Sequence, residues 1–163
     1  MAIRVTAERL NSLKEKPDFK ICDFPKTKEE WLNIDGIKFE KIICSFMGWE
    51  WSGKGRNDGG VDGWAKTRRG GRITRIPVQI KNHRNNIGRP DMQKFVGSMG
   101  EYKLGIFVAW SFAPSVRDYL IDVKRNENKE VVLLHIEEIL KDILLTTDKK
   151  MELEGIYRQR KTA

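Results

Sequence analysis

The chain has 163 residues, with 31 Lys plus Arg against 23 Asp plus Glu, a formal net charge of +8 and two cysteines. That length fits one domain whose core needs no disulfide or structural metal, and Cys22 and Cys44, without CxxC spacing or a nearby His pair, argue for a reducing, cytoplasmic setting. The longest apolar stretches, Leu104–Trp110 and Val131–Leu134, are too short to cross a bilayer, and the N-terminus lacks an apolar signal region, which argues against membrane and secreted roles.

In chain order, Thr6 can cap a short helix over Ala7–Lys14, and Pro17 with Pro25 brackets Asp18–Phe24, a candidate short strand. Thr27-Lys-Glu-Glu30 has capping-box spacing and predicts a helix that Asp35-Gly36 interrupts, with a second helix running to Met47 and stopped by Gly48. A Gly-rich stretch, Ser52–Gly60, precedes two alternating segments, Val61–Thr67 and Ile73–Asn82, joined through Arg68-Arg-Gly-Gly-Arg72 as a hairpin. Pro90 and Asp91 start a helix to Met99, Leu104–Ser111 is an apolar strand, Pro114 starts another helix, and Val131–His135 is a strand before a helix over Glu137–Leu145. The tail after Thr146 is expected to fray. This order predicts an α/β sandwich in which Leu104–Trp110, apolar at nearly every position, is covered on both faces and lies centrally in the sheet.

The charge is not spread evenly. Residues 52–94 hold eleven basic side chains and three acidic ones, so the whole +8 lies there, while the flanking regions nearly cancel. A local excess of that size attracts polyphosphate backbones, which makes nucleic acid the leading partner; a solvated basic face without a ligand is the alternative.

Within and beside that segment, a few side chains suggest chemistry. On a helical wheel of Gly36–Met47, Phe39, Ile42, Ile43, Phe46 and Met47 form one apolar face, with Lys38, Lys41 and Ser45 opposite. Glu40 falls inside the apolar face, where a carboxylate must be neutralised, paired or bound to a cation, unless it reaches water at the edge. In the second strand of the hairpin Gln79 and Lys81 share one side and Val78 and Ile80 the other, and Asp62 stands where the first strand begins. Two carboxylates and an amide oxygen can converge as a hard, oxygen-only site of the kind Mg²⁺ prefers, with Lys81 beside the ion. Phosphodiester hydrolysis uses such an arrangement.

The run Asp58-Gly-Gly-Val-Asp62-Gly, followed by Pro77-Val-Gln79-Ile-Lys81 with Gln79 seventeen residues after Asp62, resembles the D…QxK form of the PD-(D/E)XK signature in Mrr-like restriction endonucleases. Gly36-Ile-Lys-Phe-Glu40 resembles that family's first-helix motif, and Leu104-Gly-Ile-Phe-Val-Ala-Trp-Ser111-Phe-Ala-Pro114 its strand and helix entry. The resemblance covers Ile34–Leu145 and implies a restriction-endonuclease-like three-layer sandwich, a mixed central sheet flanked by helices, spanning 34–147, with 1–33 an N-terminal extension and 148–163 a tail. It further implies a Mg²⁺-dependent DNA endonuclease, with Mn²⁺ able to substitute. Asp62 and Gln79 would ligate through side chains, Ile80 through its carbonyl, and Glu40 directly or through water, while Lys81 would assist the attacking water. Most of the superfamily carries Asp or Glu where this chain has Gln79, so the site loses one negative charge and metal affinity is expected to fall.

DNA contacts are expected from Lys54, Arg56, Arg68, Arg69, Arg72, Arg84, Asn85, Arg89 and Lys94, with Asp58, His83, Gln93 and Ser111 as accessory candidates. His135, ending an apolar strand, reads as structural, and Trp49, Trp51 and Trp64 as largely core. Three functions compete: a restriction or defence nuclease acting on DNA, a catalytically weak DNA-binding module of a larger restriction-modification or methyltransferase enzyme, and a basic scaffold for a protein or RNA. Cleavage of both strands of a duplex would favour a homodimer.

Overall fold

The computed structural model describes residues 25, 27–53, 60–69 and 71–141, except the side chain of Arg69. The helix expected over Ala7–Lys14, the strand over Asp18–Phe24, the tail after Thr146 and the candidates Lys54, Arg56 and Asp58 lie outside these residues.

Local chemistry sets the first elements. Thr27 Oγ1 accepts the Glu30 N–H at 3.2 Å and opens α1, Lys28–Leu32. Asp35 Oδ1 accepts the Lys38 N–H at 3.2 Å and opens α2, Gly36–Met47, which ends where Gly48 takes φ 69°, a left-handed conformation open to a residue without a Cβ. There follow β1 (Glu50–Trp51), β2 (Gly63–Arg69), β3 (Arg72–Lys81), α3 (Arg89–Ser98), β4 (Leu104–Ala109), α4 (Pro114–Glu127), β5 (Glu130–His135) and a closing helix, α5, over 136–141.

The five strands form one mixed sheet in the order β1-β2-β3-β4-β5, antiparallel from β1 to β3 and parallel from β3 to β5. One face carries α1, α2 and α5, where Trp31, Phe39, Ile43, Ile139 and Leu140 meet Val78, Ile80 and Val108. The other carries the crossover helices α3 and α4, where Met92, Phe95, Val96, Val116 and Val123 meet Phe107 and Ala109. Helix, mixed sheet and helix stack as the three layers expected from the resemblance.

Several details differ from expectation. The middle strand is β3; β4 is interior but one place off centre, and it stops at Ala109, because Ser111 and Phe112 turn to meet Ile87. Strand β2 begins two residues late, at Gly63, since Val61 and Asp62 form the approach to the sheet. Ser45, opposite the apolar face of α2, is half-buried, and its hydroxyl is out of solvent with no partner among the described residues. The short edge strand β1 was not anticipated.

Gly63 lets the helix layer close on the sheet. A Cβ there would lie 2.7 Å from Cys44 Sγ on α2 and 3.1 Å from the Glu50 carbonyl oxygen, so the approach of α2 to the start of β2 depends on this position having no side chain.

Candidate active site

The antiparallel register sets Gly63 against Val78, and the Asp62 N–H donates to the Val78 carbonyl at 2.8 Å, so Asp62 comes opposite Gln79 at the end of the sheet where β3 finishes. Both side chains are only 5% exposed. Asp62 Oδ2 accepts two hydrogen bonds, from Gln79 Nε2 at 2.6 Å and from the Ile80 N–H at 2.7 Å. A buried carboxylate needs such donors, and here they hold its orientation against β3.

Alternation along β3 puts Gln79 and Lys81 on the face that carries α3, because they pair with Phe107 and Ala109 of β4. Lys81 is half-buried at the last position of the strand. Glu40 comes from the opposite layer, on α2, and accepts the Trp51 indole N–H at 3.3 Å. Trp51 pairs with Gly63, and the next N–H, of Ser52, donates to the Asp62 carbonyl at 2.9 Å, so the indole brings Glu40 toward the start of β2.

The thiol of Cys44 reports the same convergence. Its pKa is pushed up to about 12, first by burial and then by the negative charges of Asp62 and Glu40. One sulfur atom therefore feels both carboxylates, although they arrive from different layers.

Two carboxylates, the Gln79 amide and the Ile80 carbonyl make an oxygen-only donor set that suits a small hard cation. Among the described residues no group of three or more His, Cys, Asp or Glu is placed to hold a metal ion. The Gln79 amide presents nitrogen to Asp62 and turns its oxygen toward Gly60, where a Cβ would lie 3.2 Å from it. Ligation by Gln79 requires the amide to rotate and exchange oxygen for nitrogen. With that rearrangement, Asp62, the Gln79 amide, the Ile80 carbonyl and Glu40 are the residues that could hold a divalent ion.

Asn82, directly after Lys81, was not singled out by sequence. Its Nδ2 donates to the Trp31 carbonyl at 2.9 Å and to the Ile34 carbonyl at 3.4 Å, while its Oδ1 accepts the Trp110 indole N–H at 2.8 Å. It thereby ties the end of β3 to the chain entering α2 and to the residue following β4. The available signal was a polar amide placed beside the Gln-x-Lys triplet, with nothing local to partner it.

The remaining candidates divide in space. His83, Arg84 and Asn85 are exposed on the loop leaving the site end of β3, Gln93 and Lys94 are exposed on α3, and the Arg89 guanidinium lies 5.2 Å from the Tyr119 ring centre. Ser111 donates its hydroxyl to Asn86 Oδ1, and its carbonyl accepts the Ile87 N–H at 2.9 Å, so it braces that loop. Arg68 and Arg72 are elsewhere: they sit at the hairpin tip, where six residues of strand put Arg68 about 20 Å from Asp62 at ~3.3 Å per residue. The basic block of the sequence is thus not one groove around the site. His135 is structural, its Nδ1 against the Trp110 carbonyl at 3.2 Å and its ring edge-on to Phe112. Trp49 and Trp51 pack on the core, and Trp64 lies against Tyr102 with ring centres 5.3 Å apart.

Comparison with known proteins identifies the family. The Mrr_cat family model, described as a restriction endonuclease, matches residues 31–143. The type IV methyl-directed restriction enzyme EcoKMrr of Escherichia coli (strain K12) is 34% identical over 73 residues, which are 43% of this chain and 24% of that protein. The chain therefore spans about a quarter of that relative's length. No solved structure matches it. Because the family match takes in well over half of the residues and brackets Glu40, Asp62, Gln79 and Lys81, the chain belongs to the Mrr catalytic-domain family of restriction endonucleases.

Proposed function

We propose that this chain is a divalent-metal-dependent endonuclease that hydrolyses phosphodiester bonds of DNA within a restriction or related defence system. The observation that carries the reading is the Asp62 carboxylate fixed by Gln79 and the Ile80 N–H, one residue from Lys81 and beside the layer that supplies Glu40.

Asp62, Glu40, the Gln79 amide and the Ile80 carbonyl would hold Mg²⁺, or Mn²⁺ in its place. Such an ion polarises a phosphoryl oxygen and makes a bound water more acidic. Lys81 supplies an ammonium at the strand end, suited to orient the attacking water and to offset charge developing on the phosphate. Asp62, held by two donors, keeps its position as the phosphate approaches. Asn82 keeps Lys81 and α2 in mutual register. Arg84, Asn85, Arg89 and Lys94, on the loop and helix that follow β3, contact the backbone of the duplex. No helix of the described residues is long and apolar enough to cross a membrane, and the reading assigns the chain to the cytoplasm, where DNA is found. Two copies on a twofold axis would cut both strands, and sedimentation with and without DNA tests this: a monomer under both conditions removes the dimer.

The test is direct cleavage. Methylated and unmethylated plasmid and linear duplex are incubated with Mg²⁺, Mn²⁺ or a chelator. Wild type cuts with metal only, and Asp62→Ala and Lys81→Ala lose on the order of a hundredfold or more in rate. Undiminished cutting by Asp62→Ala, or no cutting of any DNA by wild type, defeats the reading.

A second reading is favoured by one specific contact, the Gln79 nitrogen on Asp62. A site whose third acidic ligand is replaced by an amide already bonded to Asp62 suits a DNA-binding module of a larger modification enzyme that does little chemistry. It predicts salt-dependent DNA binding that survives Asp62→Ala, without metal-dependent cleavage.

A further inference from the structure

The β2–β3 hairpin carries charge that the site does not use. Strand β4 joins β3 only from Val78 onward, so the outer pairs, Lys66 with Arg75, Thr67 with Thr74, Arg68 with Ile73 and Arg69 with Arg72, stand clear of β4 as a two-stranded arm. These pairs hold five cations and no acid. Glu50 on β1 meets the base of the arm, with Arg75 at 2.7 Å and Lys66 at 3.2 Å, whereas Arg68 and Arg72 lie further out and are exposed.

Exposed charge on a ribbon also discourages edge-to-edge pairing, and that alone would explain the arginines. It does not explain Ile73, which is paired with Arg68 near the tip and is 67% exposed. A cationic ribbon with an apolar side chain at its end asks for an anionic partner that also offers apolar contact. The major groove of B-DNA, about 12 Å wide, admits a two-stranded ribbon, offers phosphates and guanine edges to arginine, and presents thymine methyl groups.

We propose that the hairpin arm is a second DNA contact, seated in the major groove of the flanking duplex away from the bond the Asp62 site acts on. Arg68, about 20 Å from Asp62 along β2, reaches about six base pairs from that bond at ~3.4 Å per step. This rests on DNA being the substrate, as proposed above, and it adds a surface that contributes affinity without touching the reacting atoms.

The test uses the full chain without metal, binding a duplex of about thirty base pairs labelled for fluorescence anisotropy, between about 50 and 200 mM salt. The arm variant is Arg68→Ala with Arg72→Ala. The control is Arg117→Ala with Arg125→Ala on α4, both exposed, which removes the same charge elsewhere. The arm variant should bind about tenfold more weakly near 100 mM salt, and its plot of log affinity against log salt should be shallower by about two, as for two lost phosphate contacts. The control should stay near wild type. Wild-type affinity in the arm variant, or an equal loss in the control, overturns the proposal. So does a change in the arm variant's sedimentation without a change in DNA binding, which would make the arm a contact between copies. Wild type that binds and cuts DNA beside an unaffected arm variant sinks the arm alone; wild type that binds no DNA sinks the nuclease reading as well.

Discussion

Replacing Gln79 by Glu adds one negative charge where the site is most closely packed. Gln79 Nε2 donates to Asp62 Oδ2 at 2.6 Å, with both residues 5% exposed, so Gln79→Glu sets two carboxylates against each other out of water. Two unit charges ~4 Å apart interact by about 4 kcal/mol at an effective dielectric near 20. The pair therefore retains a proton, which one carboxyl donates to the other much as the amide does, and the pair's upper pKa rises. In the unfolded chain the new Glu releases its proton near ~4.3. Below that pH both states are protonated and the variant should match wild type. As pH rises the unfolded state gives up the proton first, so stability falls until the raised folded pKa is passed.

At pH 8 the loss should reach about 2–4 kcal/mol. For a chain of this length that lowers Tm by roughly 5–15 °C. A divalent ion should recover part of this loss. The added carboxylate strengthens an oxygen-only site, and binding ten times tighter adds about 1.4 kcal/mol at saturation, so Mg²⁺ should restore more of the variant's Tm than it adds to wild type's. Thermal unfolding of both proteins at pH 5 and pH 8, with Mg²⁺ and with chelator, reads all of this. A Tm offset that does not change with pH would show that the new carboxylate does not face Asp62. Equal Mg²⁺ gains in the two proteins would refute the metal site.

Other expectations follow from single contacts. Gly63→Ala should cost about 1–3 kcal/mol in urea unfolding through its clash with Cys44 Sγ, and Cys44→Ala in the same chain should recover part of that; strictly additive losses would refute the close approach. Asn82→Ala, which strands the Trp110 indole N–H, should cost about 1–3 kcal/mol in urea unfolding and lower kcat even when normalised to the folded fraction; a normalised kcat equal to wild type's would confine Asn82 to stability. The Glu50 carboxyl is held below its usual pKa by hydrogen bonds from Arg75 and then Lys66, so its pairing should be lost at a lower pH than that at which an unpaired glutamate protonates. Glu50→Gln should release both cations and tighten DNA binding with a steeper salt dependence, measured by anisotropy. In a Cys22→Ser background, native Cys44 should resist iodoacetamide at pH 8, and stability should decline from pH 9 toward 12, because the unfolded chain loses the thiol proton first.

The parts of the fold legible in the sequence were those specified by neighbours. Thr27 caps α1 three residues from the N–H that donates to it, Gly48 closes α2, and alternation in β3 separates Gln79 and Lys81 from Val78 and Ile80. Glu40 stood out because a carboxylate interrupts an apolar stripe, and its resolution through Trp51 needs only the next element of the chain. Strand β1 escaped because two residues are too few to alternate. Asn82 escaped because its partners, Trp31, Ile34 and Trp110, lie between 28 and 51 positions away, and only the docking of α1 and β4 makes its three hydrogen bonds local.

The distribution of charge was the harder matter. Along the chain, residues 52–94 form one cationic block, but β3 is a ten-residue strand that carries Arg72 about 30 Å from Lys81 at ~3.3 Å per residue. Linear density therefore overstates what surrounds Asp62 and conceals the arm. The same strand that positions Gln79 and Lys81 beside Asp62 must, because its first half extends past β4, project Arg72 and Arg75 away from it. On the function proposed above, a nuclease that needs affinity for a long polyanion and a restrained charge at a metal site would have reason to separate the two, since cations packed around Asp62 would compete with the ion it would hold.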